Sequence, residues 1–567
     1  MRFLALATVL FPALAAADVH YTMRTDPAAQ TVRITVRIDD APAAAVFRIP
    51  AWCPGFYSIR NYQEKIFDVR ASDGAGKALE IRRPDERAWQ VANAAGKVTL
   101  EYSVRGDDPG LGFFGVNVRG HTAFVNGPAA FMYAEGRKDE RMLLTIENPA
   151  GWDTAVALER GEGGAYVAGD YDELLDSPIR VGKFERRTFK VAEIPFEAIF
   201  ASTNQRYNPD LDAQAKMLAT ISAPAIALFG KPVPFKRYIY FVNLALGDFG
   251  GGLEHRASTV LAIPNVANPQ METLAAHEFV HAWNVKQMRP LPLGPFDYTQ
   301  PCRTGNLWLA EGVTDYYAQI VAYRSGLFDE AWLLREMGNN IAELQRGSNR
   351  LKITLEECSR QAWEHGGFSV GDLSYYTKGL VAGFVFDAAI RGATDGKKSL
   401  DDTMRALYAK HRLPQPGYPE DGPRDAISET AGKDLGALYD LVVRSTKEVP
   451  YSELAAIGLR VLAPGKEVDT LGFTWSGDKV TAVESEAPLL RVGDRIALVD
   501  GRPFAPGAFA AKKATYRITV DRNPEGGGGR EEVDISLAKT TPRRWTVERD
   551  PFADAAAIAR LEGWLAR

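Results

Sequence analysis

The segment METLAAHEFVHAWNVKQMR, residues Met271–Arg289, reads as a helix carrying His277, Glu278 and His281. Helical residues four apart lie one turn above each other on the same face, so His277 and His281 can present two imidazoles to one ion. Glu278, one position along, is near enough to hold a water bound to that ion and too far off axis to join its ligands. Leu274, Phe279, Val280 and Trp283 supply apolar surface around the rest of the helix, which predicts burial and the rigidity that a catalytic metal needs. The alternative is a pair of packed helix histidines with no ion between them. The chain has only seven histidines in 567 residues, which makes the spacing an infrequent accident.

Downstream, LWLAEGVTDYYAQIVAYR at Leu307–Arg324 resumes helical periodicity, with Glu311 and Asp315 four apart on one face. Glu311 is a candidate third ligand, and Asp315 a candidate to orient a ligand histidine by accepting its second ring hydrogen. An ordinary solvated acidic face is the alternative. Gly371–Arg391, GDLSYYTKGLVAGFVFDAAIR, predicts a long apolar helix capped by Asp372, with Tyr375 and Tyr376 in its first turns. A phenol aimed at a metal would stabilise an oxyanion; core packing is the plainer use of two aromatics. Residues 327–368, Ser399–His411 and Leu435–Lys447 also read as helical, so the second half of this domain, which spans 181–450, is expected to be mainly helix.

Upstream, Lys183–Val191, Phe196–Ser202 and Tyr238–Ala245 read as strands. They lead into GDFGGGLEHRA at Gly247–Ala257, whose glycines permit a sharp turn or close approach to a ligand. Glu254 is read as a carboxylate on a strand at the substrate edge, with a surface turn as the cheaper explanation. Residues 18–180 predict an antiparallel β domain, with clean alternation at Gln30–Arg37 and Lys97–Val104. Within it, Ile49–Phe67 is a Pro- and Gly-broken loop dense in aromatics, including Trp52, Phe56, Tyr57 and Tyr62, with Arg60 among them. Such a loop suits either the cleft or inter-sheet packing. His121 is read as a surface or core histidine. Residues 451–545 predict a small β-rich module of short alternating segments, and 546–567 a tail ending in an amphipathic helix packed back on another domain.

Composition excludes some classes. The chain is 46% hydrophobic and 25% charged with a formal net charge of -5, which marks a folded protein without the basic surplus of a nucleic-acid binder. Met1–Ala17, MRFLALATVLFPALAAA, reads as a secretory signal peptide cleaved after Ala15 or Ala17. No later segment has the length and apolarity of a transmembrane helix, so a secreted or periplasmic protein with no transmembrane anchor is expected. Cys53, Cys302 and Cys358 allow one long-range bridge and leave at least one cysteine unpaired within the chain.

HEFVH, followed thirty residues after His281 by Glu311, resembles the gluzincin zinc metallopeptidases. Together with PAWCPGFYSIRNY at Pro50–Tyr62, GGLEH at Gly251–His255, YTKG at Tyr376–Gly379 and LRVGDRIALVDG at Leu490–Gly501, it is similar to the glycyl aminopeptidase family. The resemblance implies an α+β multidomain chain: an N-terminal β domain, a thermolysin-like catalytic domain and a C-terminal PDZ-like β domain. It implies one zinc ion per chain on His277, His281 and Glu311, with Glu278 as general base and proton shuttle, Tyr376 at the oxyanion and Asp315 behind a ligand histidine. Glu254 would receive the α-ammonium of a peptide with a free N-terminus, although Leu253 and His255 depart from the methionine and asparagine of many zinc aminopeptidases. The aromatic loop is the expected N-terminal-domain contribution to the cleft, with Tyr57 and Arg60 as candidate substrate-binding residues. The implied activity is removal of small N-terminal residues, glycine or alanine. The alternatives are a thermolysin-like endopeptidase and an envelope protein that binds peptides or protein partners through its PDZ-like module.

Overall fold

The computed structural model describes residues 18–110, 112–202, 209–244, 250–264, 271–483, 489–522 and 529–567. The expected signal segment lies outside the described residues, as do most of Gly247–Gly250 and Gly526–Gly528. No helix among the described residues is long and apolar enough to cross a membrane.

The N-terminal region is built on an eight-stranded sheet. Thr31–Ala41 lies at its heart, with its even residues from Val32 to Ile38 fully buried, and pairs antiparallel with Val19–Asp26 on one side and Gly96–Arg105 on the other. The domain is not wholly antiparallel, because Val19–Asp26 pairs parallel with Met142–Glu147. Two four-stranded sheets complete it. One contains Ile179–Gly182, so this domain runs on to Gly182, just past the expected boundary.

A five-stranded sheet follows, in the order Glu185–Val191, Ile194–Ser202, Tyr238–Leu244, Ser258–Ile263, Gly251–Glu254. Its three central strands are parallel and both outer pairs antiparallel. Every residue of Tyr238–Leu244 is buried, as a central strand covered on both faces requires. Gly251–Glu254 is the edge strand. Helix Leu211–Phe229, which the sequence reading passed over, connects two parallel strands and stacks Phe229 on Trp283 at 5.0 Å.

The histidine helix, Met271–Val280, is shorter than the expected span to Arg289. Beyond it the Asn284 amide donates to Leu309 O at 2.8 Å and Thr314 Oγ1 at 3.0 Å, and Val285 takes φ 113°, so docking onto the next helix ends the regular structure. That helix, Val313–Arg324, is preceded by a π-turn at Trp308–Gly312. The π-turn crosses the long helix Tyr375–Ala393 so closely that a Cβ on Gly312 would lie 2.5 Å from Gly379 Cα. The glycine of the YTKG tract is therefore a packing requirement. Ser374, not Asp372, caps this long helix, its hydroxyl accepting from Tyr376 N. Asp372 is spent elsewhere, accepting from Ser348 N and Asn349 N at 2.7 and 2.8 Å. Gly422–Ala431 is a further helix.

The C-terminal module has its own core, including Phe473, Val480, Ile496, Tyr516, Ile518 and Val533. Its sheet runs from Phe473–Ser476 to Arg530–Ser536, and no α-helix occurs among its described residues. The expected boundary at 545 cuts through a strand pair, since Leu459–Leu462 pairs with Thr546–Arg549. This stem belongs with the main core, where Leu459 and Val547 are buried. The final helix, Ala555–Trp564, packs on the catalytic domain, with Trp564 Nε1 donating to Tyr316 OH at 2.9 Å.

Candidate metal centre

His277 and His281 face the π-turn that presents Glu311, and all three side chains are buried. His277 Nε2 and His281 Nε2 lie 2.9 Å apart, and Glu311 Oε2 lies 3.6 and 3.2 Å from them. Four donors placed tetrahedrally at zinc–nitrogen distances stand about 3.3 Å from one another. The triangle thus has the size of one face of such a site, and it leaves one corner free for water or substrate.

Ring orientation agrees with this use. His281 Nδ1 faces Asn284 O at 2.8 Å. His277 Nδ1 lies 2.7 Å from Asp315 Oδ1 in a contact bent off the N–H direction. Both contacts engage Nδ1 and leave the Nε2 lone pairs for an ion. Because Glu311 sits in a π-turn, it and Asp315 do not share one continuous α-helical stripe, yet both reach His277. The π-turn is a distortion often found at functional sites.

Tyr57 is buried beneath the cluster, and its hydroxyl donates to Glu311 Oε1 at 3.1 Å. The residue expected to bind substrate therefore stands behind the third ligand, fixing one carboxylate oxygen while the other faces the histidines. Arg60 lies farther out, its guanidinium 5.4 Å from the ring centres of both Phe56 and Phe114. An aromatic row connects this point to the metal site: Phe56 to Phe368 at 5.8 Å, Phe368 to Tyr376 at 6.1 Å, and Tyr376 to His277 at 6.2 Å. Trp52 in the same loop serves packing, with its indole donating to Asp297 O and its ring against Phe296 and Trp363. His121 is exposed.

Glu278 is buried on the cleft side of the helix with Oε2 unpartnered. Room for it comes from the edge strand, where a Cβ on Gly252 would fall 2.0 Å from Glu278 Oε1. Two residues along the same face, Glu254 is also buried, and its carboxylate lies within 4.8 Å of donor atoms of Glu278 and His281. Gly55 of the N-terminal domain backs Glu254 so tightly that a Cβ there would lie 2.7 Å from either oxygen.

Burial raises the Glu278 pKa; the two histidines pull it back and Glu254 and Glu311 push it up again, leaving it at about 8. For Glu311 burial is outweighed by His281 and His277, which hold its carboxyl below the ordinary range. Burial opposes charge on His277 and His281, but Asp315 for the first and Glu311 for the second raise both pKa values. The phenol of Tyr376 is raised well above its ordinary value, by burial and then by Glu311, so it keeps its proton. All three cysteines are buried and free.

Asp176 and Lys286 went unnoticed in the sequence. Asp176 is the C-cap of a short helix in the N-terminal domain, and Lys286 lies in the turns beyond the histidine helix. They meet at 3.0 Å beside Glu254, across a separation for which the sequence carries no signal.

Residues 20–183 match the Peptidase M61 N-terminal domain, and residues 270–382 match the M61 glycyl aminopeptidase domain. No curated protein matches the chain. Among solved structures, an aminopeptidase N family protein from Idiomarina loihiensis is 22% identical, covers 97% of this chain and 100% of its own, and superposes with a TM-score of 0.75, so the two share a fold over nearly their whole length. The M1 zinc metallopeptidase from Deinococcus radiodurans is 14% identical, with 76% of this chain and 93% of that chain covered and a TM-score of 0.47. The second matched segment contains His277, His281 and Glu311, so the candidate metal cluster lies within the part of the chain that is similar to the M61 glycyl aminopeptidase domain.

Proposed function

We propose that the protein is an exported zinc aminopeptidase, secreted or periplasmic, that hydrolyses the first peptide bond of peptides with small N-terminal residues, glycine or alanine. The observation that carries this reading is Glu254, a buried carboxylate with no hydrogen bond to Oε1, on an edge strand and against the His281–Glu278 side of the metal cluster. An α-ammonium held there leaves room for only one residue before the metal.

His277, His281 and Glu311 would hold the ion. Zinc, when bound, acidifies its water and polarises the substrate carbonyl. Glu278 would accept a proton at its unpartnered Oε2 and return it to the departing amine. Tyr376, kept protonated, donates to the carbonyl oxygen as charge develops. Asp315 holds the His277 ring, and Tyr57 holds Glu311. The edge strand offers backbone groups along which a peptide can lie extended, and the aromatic row from Tyr376 to Phe56 forms an apolar wall, with Arg60 at its outer end.

The C-terminal module keeps its PDZ-like reading as a proposal supported by LRVGDRIALVDG, whose Arg495–Val499 portion is a strand. Its exposed sheet edges at Phe473–Ser476 and Arg530–Ser536 are where an extended peptide would add.

The test is zinc analysis followed by hydrolysis of glycyl and alanyl peptides with free and acetylated N-termini. One zinc per chain and cleavage of the free-amine substrates alone are expected. Equal cleavage of both kinds makes the protein an endopeptidase, and zinc without hydrolysis of either leaves peptide binding as its work.

A further inference from the structure

The amine end of the cleft contains a cation of its own. Lys286 Nζ is buried, 3.0 Å from Asp176 Oδ1 and 3.7 Å from Glu254 Oε1. An ammonium this close to Glu254 occupies the position that a substrate ammonium must share. What keeps it from closing the remaining distance is Asp176, whose carboxylate accepts from three donors of the catalytic domain. Oδ1 takes Lys286 Nζ and His255 Nδ1, the latter at 2.9 Å, and Oδ2 accepts from Arg256 N at 2.9 Å. His255 and Arg256 follow Glu254 directly, so one aspartate from the N-terminal domain grips both the end of the edge strand and the lysine. Lys286 is anchored at its other end as well, its backbone N donating to His281 O at 3.1 Å.

The two carboxylates compete for one ammonium. Burial disfavours the charge on Lys286, but Asp176 first and Glu254 second more than restore it. Glu254 in turn has carboxylates on its cleft side, Glu278 among them. The closer the lysine ammonium stands to Glu254, the less of the Glu254 charge is left for a substrate amine. We propose that Asp176 is a positioning residue that holds Lys286 off Glu254, so that the N-terminal domain sets how strongly the cleft binds a substrate's free amine. The inference rests on Glu254 being the amine anchor.

The test compares Asp176→Asn, Lys286→Met, the double variant and Glu254→Gln, each checked for thermal unfolding and zinc content. Substrates are an alanyl peptide and its N-acetyl counterpart. Asp176→Asn frees the lysine to pair with Glu254, so KM for the free-amine peptide should rise about tenfold while kcat changes far less. Removing Lys286 as well should return KM toward wild type, a rescue that a merely structural aspartate would not show. Lys286→Met alone, which keeps the Asp176 bonds to His255 and Arg256, should lower KM for the free-amine peptide, and this arm stands even where Asp176→Asn does not fold. An unchanged or raised KM in folded Lys286→Met overturns the proposal, as does a double variant no better than the single. If Glu254→Gln affects free and acetylated peptides alike, the anchor reading itself falls and this inference with it.

Discussion

At the metal end of the cleft, His277, Asn284 and Asp315 lie on consecutive elements of one domain, and each histidine is oriented by a neighbour on those same elements. At the end proposed to hold the substrate amine, Glu254 is backed by Gly55 and the residues that follow it are held by Asp176, both from the N-terminal domain. One end is a compact local assembly; the other exists only when two domains are docked. The difference separates two properties of the enzyme. On the proposed function, hydrolytic chemistry would depend on helix packing inside the catalytic domain, and selection of the substrate's end on an interdomain contact. Substitutions at the two ends should therefore fail in different ways.

The largest effect belongs to the local end. Glu278→Gln keeps the shape of the side chain and removes the base, and should lower kcat by about three orders of magnitude while zinc content stays near one per chain. Full activity in this variant would break the assignment of chemistry to the histidine helix. Gly252→Ala reaches the same group from the neighbouring strand. Its Cβ would fall 2.0 Å from Glu278 Oε1, so the carboxylate must move, and a loss of about a hundredfold in kcat with zinc retained is expected. Retained kcat would show that the edge strand yields instead of the base.

The contrast also explains what was legible in the chain. H-E-x-x-H on a helix and a glutamate thirty residues on are local patterns, and the Asp315 contact follows once the two helices pack. Alternation at Thr31–Ala41 and the apolar run at Tyr238–Leu244 marked a half-buried and a fully buried strand for the same reason. Leu211–Phe229 escaped notice with Pro224 inside it. Asp372 was misread because Ser374, two residues on, competes for the same capping task. Asp176 and Lys286 carry no local signal at all, and nothing local marks the contact of Tyr57 with Glu311. Their roles arise from contacts between residues separated by 254 positions for Tyr57 and Glu311 and by 110 for Lys286 and Asp176, which only the docked domains create.

The interdomain end should also reveal itself in acid. Burial would raise the Asp176 pKa, but Lys286, His255 and Arg256 outweigh it and bring the carboxyl from 3.8 down to about 2. A depressed folded-state value contributes stability that is fully present above the ordinary value of 3.8 and is lost as pH falls through about 2, and this shift corresponds to about 2 kcal/mol. Denaturant unfolding of wild type and Asp176→Asn should differ by a pH-dependent part of that order at pH 6 that vanishes near pH 2. A gap that stays constant across the range would remove the buried ion pair from the account of domain docking.

Tyr57→Phe is the finest test, because Tyr57 is the point where the interdomain contact reaches the metal end. The phenol donates to Glu311 Oε1, while Oε2 is the oxygen turned toward His277 and His281. Removing the donor leaves the ligand oxygen in place but frees the carboxylate to rotate, and leaves Oε1 without its partner in a buried site. Contacts of this kind are worth about tenfold to a hundredfold in metal affinity, and the lower figure, about 1.4 kcal/mol, is expected here because the bond is to the oxygen turned away from the ion. Competition with a chelator measures it directly on the protein, without reference to turnover. A tenfold weaker zinc affinity, with kcat restored at saturating zinc, would show that the N-terminal domain steadies the metal site as well as the amine site, and would narrow the contrast between the two ends. An unchanged affinity would leave the metal centre wholly to the catalytic domain and make the contrast sharper.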